Sequence, residues 1–275
     1  METNMKNVIL VPTDFSEICN NAIDQAVISA KHLKYSLILL HVINNDTREF
    51  LNKKYLHDEY ISDKLKSQSE EIEKEHGIKV SYMVKEGSIF TMIGDAAAES
   101  GARMIFLGTH GKSGMQHITG SFALKVITSS PVPVIVTQER KMTSAFHQIV
   151  FAVTSDTGLQ EKAQWAAFMA KEYNAKINIF QVNTTDPAII SATQKVQSYF
   201  EESKVQYSYL ISVKESGFAE QAIEYATSVS ADLIIIMTSP NNNFTKFLLS
   251  NIDESIIFNK SQIPVMCINP KKIRN

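Results

Sequence analysis

Cysteine, glycine and tryptophan are scarce in this chain of 275 residues, which contains two, ten and one of them respectively. The two cysteines, Cys19 and Cys267, lie far apart, and neither belongs to a CxxC or Cys/His cluster. This pattern argues against a disulfide framework and against a structural zinc site. We expect two buried thiols in a reducing compartment.

Long hydrophobic runs are also missing. No apolar stretch approaches the roughly 20 residues that are needed to span a bilayer. The first residues, 1–7, lack the basic region and the small-residue cleavage site of a signal peptide. We therefore expect a cytoplasmic protein without a membrane partner.

Neither sign of charge dominates, since the net charge is −2 and the pI is about 6.4. This balance gives no electrostatic reason to expect nucleic acid as a partner. The length fits one large domain or two domains of about 140 residues, and either can bury a core.

Short, almost continuously apolar runs recur along the first half and are typical of strands covered on both faces in a parallel sheet. They occupy residues 8–11, 37–42, 80–84, 104–107 and 132–136. The segments between them show helical spacing of apolar residues. The predicted helices cover 20–33 with Ser16 as N-cap, 90–100 before Gly101, 122–128, and a charged, exposed connecting helix with a mobile start at 47–76.

The second half repeats this order of runs, which indicates an internal duplication. Residues 149–154 correspond to 8–13, 177–182 to 37–42, 231–236 to 102–107, and 263–267 to 132–136. We therefore predict an α/β fold of two tandem, doubly wound, parallel five-stranded sheets. The domains are expected at 1–140 and 146–275, with a polar linker near 139–146.

One glycine-rich segment carries a recognisable chemistry. Four of the ten glycines lie between positions 108 and 120, in a loop that follows a predicted strand and precedes a predicted helix. Glycines let a backbone approach a ligand closely, and successive N–H groups with a helix N-terminus form an anion site. The loop is not a P-loop, because no GK[ST] sequence closes it. From the loop alone, two interpretations remain open: a phosphate cradle and a merely flexible turn.

Three features together resemble the universal stress protein family. They are the segment 8–14, the glycine loop, and the final strand Pro-Val-Pro-Val-Ile-Val. The family pattern is G-x2-G-x9-G-[ST]. Gly108, Gly111, Gly120 and Ser121 match it, except that eight residues separate Gly111 from Gly120. The resemblance implies a Rossmann-like, adenine nucleotide alpha hydrolase-like fold for each domain.

The resemblance also implies that the first domain binds ATP, with or without Mg²⁺. Asp14 would then face the ribose, Pro12 and Thr13 would line the adenine side, and Val42 would contact the base. The phosphates would be held around the glycine loop, by Gly108, His110, Gly111, Gly120, Ser121 and Phe122. Other interpretations remain open: Asp14 as an Asx turn or N-cap, His110 as a simple loop donor, and the shortened loop as a closed cradle.

The second domain lacks these residues. Met237-Thr238-Ser239-Pro240 stands where the first domain has its Gly108 to Gly111 segment, and Pro240 removes an N–H donor. The alignment of 149–154 with 8–13 places Ser155 at the position of Asp14. We therefore expect no ATP in the second domain.

The expected function is an adenine-nucleotide-binding sensor or regulator of a stress response. The last strands of the two domains would pair within the chain as a pseudo-dimer, and a homodimer is a further option. The alternatives are a slow ATPase and a nucleotide-free scaffold for a protein or a small ligand. Efficient hydrolysis is not expected, because no general base accompanies a set of metal ligands.

Overall fold

A computed structural model describes residues 7–109, 120–155, 158–238 and 250–270, with the backbone alone at 120 and 121. The chain divides into two compact units, Met1–Thr143 and Ser144–Asn275. We describe each unit by itself.

The described part of the first unit contains five parallel strands, in the order β3-β2-β1-β4-β5. The strands are β1 (Val8–Pro12), β2 (Ser36–Ile43), β3 (Val80–Glu86), β4 (Met104–Gly108) and β5 (Val134–Thr137). The helices are α1 (Glu17–Leu33), α2 (Asn45–Lys54), α3 (Glu59–His76), α4 (Ile89–Ser100) and α5 (Gly120–Ser129).

Local sequence signals explain most of these boundaries. Every residue of β1 and of β4 is buried, as expected for strands covered on both faces. Ser16 is the N-cap of α1, and its hydroxyl accepts a hydrogen bond from the N–H of Cys19. Gly101 ends α4 in the left-handed conformation. These predictions are confirmed.

The charged connecting segment differs from its prediction. It forms two helices, α2 and α3, rather than one helix over 47–76. Tyr55 ends α2 with a φ of 55°, and its N–H donates to the carbonyl groups of Leu51 and Asn52. A bulky residue in the left-handed region of φ and ψ interrupts the helix. The apolar periodicity of the segment did not indicate this interruption.

The described part of the second unit repeats the architecture in the order β10-β9-β6-β7-β8, again with parallel pairing. Its strands are β6 (Gln148–Val153), β7 (Lys176–Gln181), β8 (Tyr207–Ile211), β9 (Leu233–Met237) and β10 (Val265–Ile268). Its helices are α6 (Leu159–Tyr173), α7 (Pro187–Glu202), α8 (Phe218–Ser228) and α9 (Asn251–Ile257). The predicted fold class is confirmed.

The register of the two sheets corrects one detail of the sequence alignment. Ile9 pairs with Leu37, and Ile149 pairs with Ile177, so that Ile149 corresponds to Ile9 rather than to Val8. This shift of one residue places Thr154, not Ser155, at the position of Asp14. The error arose because the middle of both strands, Ile9–Val11 and Ile149–Phe151, is apolar throughout, so a shift of one residue still matches apolar residues with apolar residues there.

Both cysteines are free and buried, as predicted for their side chains. Burial raises the pKa of the Cys19 thiol to about 12. In the described ranges, no helix is long and apolar enough to cross a membrane. The same ranges contain no group of three or more His, Cys, Asp or Glu side chains placed to hold a metal ion.

Candidate functional site

A cavity of about 380 Å³ opens at the carboxyl ends of β1 and β2. In open parallel sheets this edge is the usual place for a ligand. The volume lies within the range of small-molecule pockets, which is about 300–1,000 Å³. The cavity is lined by Pro12, Thr13, Asp14, Phe15, Ser16, Leu40, His41, Val42, Asn44, Asp46, Thr47, Phe50, Tyr60, Ile61, Lys64, Ile89 and Ile93. Four predicted site residues, Pro12, Thr13, Asp14 and Val42, therefore lie in one cavity.

The turn after β1 presents Asp14 to the solvent. The N–H of Ser16 donates to Asp14 Oδ1 at 2.9 Å, and the N–H of Phe15 donates to Thr13 Oγ1 at 3.0 Å. Burial alone would raise the pKa of Asp14, but hydrogen bonds from Ser16 outweigh it and hold the pKa below its usual value. The Asx turn that the sequence allowed is thus present. Asp14 is also an ionised acceptor at the cavity.

His41 joins the end of β1 to the start of α2. Its Nδ1 lies 2.8 Å from the carbonyl oxygen of Thr13, and its Nε2 lies 3.0 Å from Thr47 Oγ1. The carbonyl can only accept, so Nδ1 carries the proton. Burial lowers the pKa of His41, against an opposing effect of the Thr13 hydrogen bond. The imidazole is therefore neutral at pH 7, and its Nε2 and Asn44 Oδ1 are the two acceptors beside the single hydroxyl proton of Thr47.

His41 is a buried imidazole whose backbone partner is the carbonyl of Thr13. Through Thr47 it also reaches α2. Asn44 is the N-cap of α2, and its Oδ1 accepts from the N–H of Thr47 at 2.9 Å. The same oxygen lies 3.1 Å from Thr47 Oγ1. One side-chain network thus connects β1, β2 and α2 around the cavity.

An aromatic stack forms one wall of the cavity. The Phe15 ring lies over His41 with a centroid distance of 5.1 Å, and Lys64 Nζ lies 4.1 Å from the centre of the Phe15 ring. Phe15 has a φ of 66°, which is uncommon for a bulky residue. The sequence assigned Lys64 only to a solvated helix face, so its cation–π contact was missed.

The outer rim is fixed by Arg48. Its guanidinium pairs with Asp58 and, at 2.8 Å, with Glu86. These contacts join α2 to the start of α3 and to the end of β3. Phe50 and Tyr60, which line the cavity, lie close to one another on this rim, with ring centroids 6.3 Å apart. The periodicity of the sequence did not predict that these residues would form the rim of the cavity.

Gly108 has a packing role that the sequence did not reveal. A Cβ at this position would lie 2.7 Å from the carbonyl oxygen and 2.9 Å from Cγ2 of Ile18. Only glycine lets the first turn of α1 approach β4 so closely. Its predicted contact with phosphate stays a prediction.

The rest of the predicted phosphate cradle is not described. His110 and Gly111 lie outside the described residues, and only the backbone is described at Gly120 and Ser121. Phe122 is described, and its ring stacks on Phe90 of α4 with a centroid distance of 5.3 Å.

The equivalent space in the second unit contains larger side chains. Phe180 stacks on Phe218 and on Tyr225, with centroid distances of 5.5 and 4.9 Å. Lys162 is completely buried, and its Nζ donates to the carbonyl of Ala152 at 2.5 Å. Gln181 stands at the position of His41.

A parallel α/β unit that occurs twice defines a Rossmann-like protein with the adenine nucleotide alpha hydrolase-like fold. The model of the universal stress protein family matches residues 5–138 and again 145–269. The chain therefore belongs to the universal stress protein family, as two tandem copies.

Individual relatives agree with this assignment. Universal stress protein MJ0531 from Methanocaldococcus jannaschii is 30% identical over 147 residues, which cover 50% of this chain and 85% of that protein. Universal stress protein MJ0577 from the same organism is 33% identical over 160 residues, covering 50% and 97%. The fold resembles the crystal structure of a universal stress protein from Archaeoglobus fulgidus, with a TM-score of 0.77, 18% identity, and coverage of 98% of this chain and 100% of that one.

Proposed function

We propose that the first unit binds one adenine nucleotide, with ATP as the expected ligand, and that the protein acts in the cytoplasm as a nucleotide-binding component of a stress response. The observation that carries this proposal is that Pro12, Thr13, Asp14 and Val42 line one cavity at the carboxyl edge of the sheet. Sequence resemblance selected these residues before the cavity was known.

The described residues fit the base and the ribose. Pro12 and Val42 are buried and offer apolar surface to a base. The Asp14 carboxylate accepts hydrogen bonds and donates none, which suits two ribose hydroxyls. Gly108, Gly111, Gly120 and Ser121 would hold the phosphates, with His110 and Phe122 beside them. Mg²⁺, when bound, would neutralise phosphate charge.

The second unit supports a stoichiometry of one. Thr154 replaces the carboxylate of Asp14, and Phe180 and Phe218 are buried against each other beside it. An adenine ring would need to displace both aromatic rings.

The test is the nucleotide content of the purified full-length chain, followed by calorimetric titration of ATP into stripped protein. We expect a single ATP per chain. Asp14→Ala should weaken binding by at least about 10- to 100-fold, because even one hydrogen bond to a charged group contributes about 1.5–3 kcal/mol. Gly111→Val should abolish it.

Thr154→Ala is the matched control and should bind as the wild type does. Absence of saturable binding at millimolar ATP would overturn the proposal in favour of a nucleotide-free scaffold. Binding of two ATP molecules would contradict the assignment of the site to the first unit alone.

A further inference from the structure

The free edge of the second unit is exposed and uncharged. Among the described strands, β8 pairs only with β7. Its residues Tyr209, Leu210 and Ile211 are 40%, 46% and 43% exposed, and Val213, just beyond the strand, is 89% exposed. No charged residue occurs from Gln206 to Val213. Such an edge is a template for pairing with another strand.

The hydrogen bonds at the two ends of β8 show which backbone groups point outwards. The N–H of Ile177 donates to the carbonyl of Gln206 at 2.9 Å, and the N–H of Ser212 donates to the carbonyl of Gln181 at 2.8 Å. Backbone groups alternate in direction along a strand, so Ser208 and Leu210 also face β7. Tyr207, Tyr209 and Ile211 therefore direct their N–H and C=O groups away from the sheet.

The corresponding edge of the first unit is protected. Tyr82 of β3 occupies the position of Tyr209, since it pairs with Leu39 as Tyr209 pairs with Ile179. However, β3 carries charges at its end. Lys85 pairs with Glu99 at 2.5 Å, and Glu86 pairs with Arg48 at 2.8 Å. Charged side chains on an edge strand oppose the addition of a further strand.

We propose that β8 is the pairing edge of a symmetric homodimer, in which β8 of a second copy adds antiparallel about a two-fold axis at Tyr209. Tyr209 then faces Tyr209 of the partner subunit, and Tyr207 faces Ile211 of the partner subunit. All three outward-facing residues enter hydrogen-bonded pairs, each exchanging an N–H···O=C bond in both directions. A two-fold axis between two residues would instead place an outward-facing residue opposite an inward-facing one.

Two observations favour a second copy over an unrelated chain. An antiparallel copy centred on Tyr209 brings every outward-facing residue opposite another outward-facing residue, so the strand can pair with itself. The side chains that meet are uncharged, and Tyr beside Ile is a favourable cross-strand pair.

A strand pair alone buries well under the roughly 800 Å² per partner of a standard interface, so the dimer should be weak. We expect a dissociation constant on the order of 100 µM.

Sedimentation equilibrium of the full-length chain tests the proposal. The wild type should show a concentration-dependent dimer. Tyr209→Pro removes an outward N–H without touching a bond to β7, and it should raise the dissociation constant at least about tenfold. Tyr82→Pro makes the same change on the protected edge and should leave the constant unchanged.

Two further measurements keep the result interpretable. If circular dichroism shows that Tyr209→Pro disturbs folding, Tyr209→Lys takes its place. Two lysines would then face each other at the axis and weaken the dimer by charge repulsion. Tyr82→Lys is the control for this variant. Amide exchange of the wild type should slow with concentration at Tyr207, Tyr209 and Ile211 but not at Ser208 and Leu210. A wild type that stays monomeric would overturn the proposal. So would a dimer that the substitutions at Tyr209 and Tyr82 weaken equally, or one that neither substitution weakens.

Discussion

The two units share one sheet order and differ in what occupies the carboxyl edge. In the first unit Leu40 and Ile89 line an open cavity. In the second, the corresponding positions hold Phe180 and Phe218, whose rings stack 5.5 Å apart. A duplicated fold can therefore fill a cavity by enlarging side chains, while its backbone pairing stays the same.

The units also exchange large and small residues at the contact between their first helix and inner strand. In the first unit Ile18 packs against Gly108. In the second, Gly158 stands at the position of Ile18 and Met237 at that of Gly108. A Cβ on Gly158 would lie 3.1 Å from Cε of Met237, and its φ of 88° itself favours glycine. Each unit thus has one large partner and one glycine.

The largest effect should come from removing the aromatic filling of the second unit. We expect Phe218→Ala to lower the free energy of unfolding by about 3–5 kcal/mol, because Phe218 is buried and its loss leaves a cavity. Ile89→Ala, at the open cavity, should lower it by less. The single tryptophan, Trp165 in α6, reports on the second unit by fluorescence during urea unfolding. Equal losses in both variants would argue against a filled second site.

Next in size is Gly108→Val. The new side chain meets the Ile18 backbone, so we expect a loss of about 1–3 kcal/mol or more from overpacking. Circular dichroism should show this loss, while the fluorescence transition of Trp165 should change less. Adding Ile18→Ala should rescue it only in part, since the nearest atom is a carbonyl oxygen. Full rescue would contradict the proposed backbone contact.

A smaller loss of stability is expected at the N-cap of α1, where the first unit differs from the second. Ser16→Ala should lower stability by about 1 kcal/mol, because the helix loses its N-cap acceptor. Ser16→Gly should lower it by only a few tenths of a kcal/mol, since glycine is tolerated at an N-cap; Gly158 is the N-cap of α6, although it stands two residues further along, at the position of Ile18. Thermal unfolding by circular dichroism distinguishes the two. Because both variants lose the hydroxyl, equal losses would show that the cap bond outweighs the tolerance of glycine at an N-cap, and no loss in either variant would show that the cap bond contributes little.

The smallest effect should appear only on acidification. Burial lowers the pKa of His41, so the unfolded chain binds more protons there than the native one. Stability should therefore fall as the pH drops below about 6.5, with a slope of at most about 1.4 kcal/mol per pH unit for one proton. His41→Gln, which copies Gln181, should flatten this slope in urea titrations at several pH values. The Asp14 contribution is lost only at lower pH, below about 3.9. An unchanged slope would rule out His41 as the titrating group.

Much of the fold could be predicted from the sequence. Fully buried parallel strands are apolar at every position, and caps such as Ser16 and Gly101 mark helix ends by local chemistry. The third strand of the second unit, β8, was not located, because Tyr207–Ile211 is half polar and mostly exposed. The one-residue shift in the alignment has the same origin, since uniform apolar runs carry no register.

The candidate site was predictable only in part. Pro12, Thr13, Asp14 and Val42 follow strand ends, and the family resemblance selected them. Asn44, Thr47 and Lys64 reach the cavity through the placement of α2 and α3, which depends on tertiary contacts such as Arg48 with Glu86. No local pattern encodes those contacts.

The exchanged glycines also constrain how the two halves could have diverged. Removing the Ile18 side chain alone would not make room for a side chain at position 108, because a Cβ there would still meet the Ile18 carbonyl oxygen. A change from one arrangement to the other therefore needs a small shift of the helix against the strand as well as a change of residue. For the same reason, a chimaera that grafts the first helix of one half onto the other half must carry its strand partner with it.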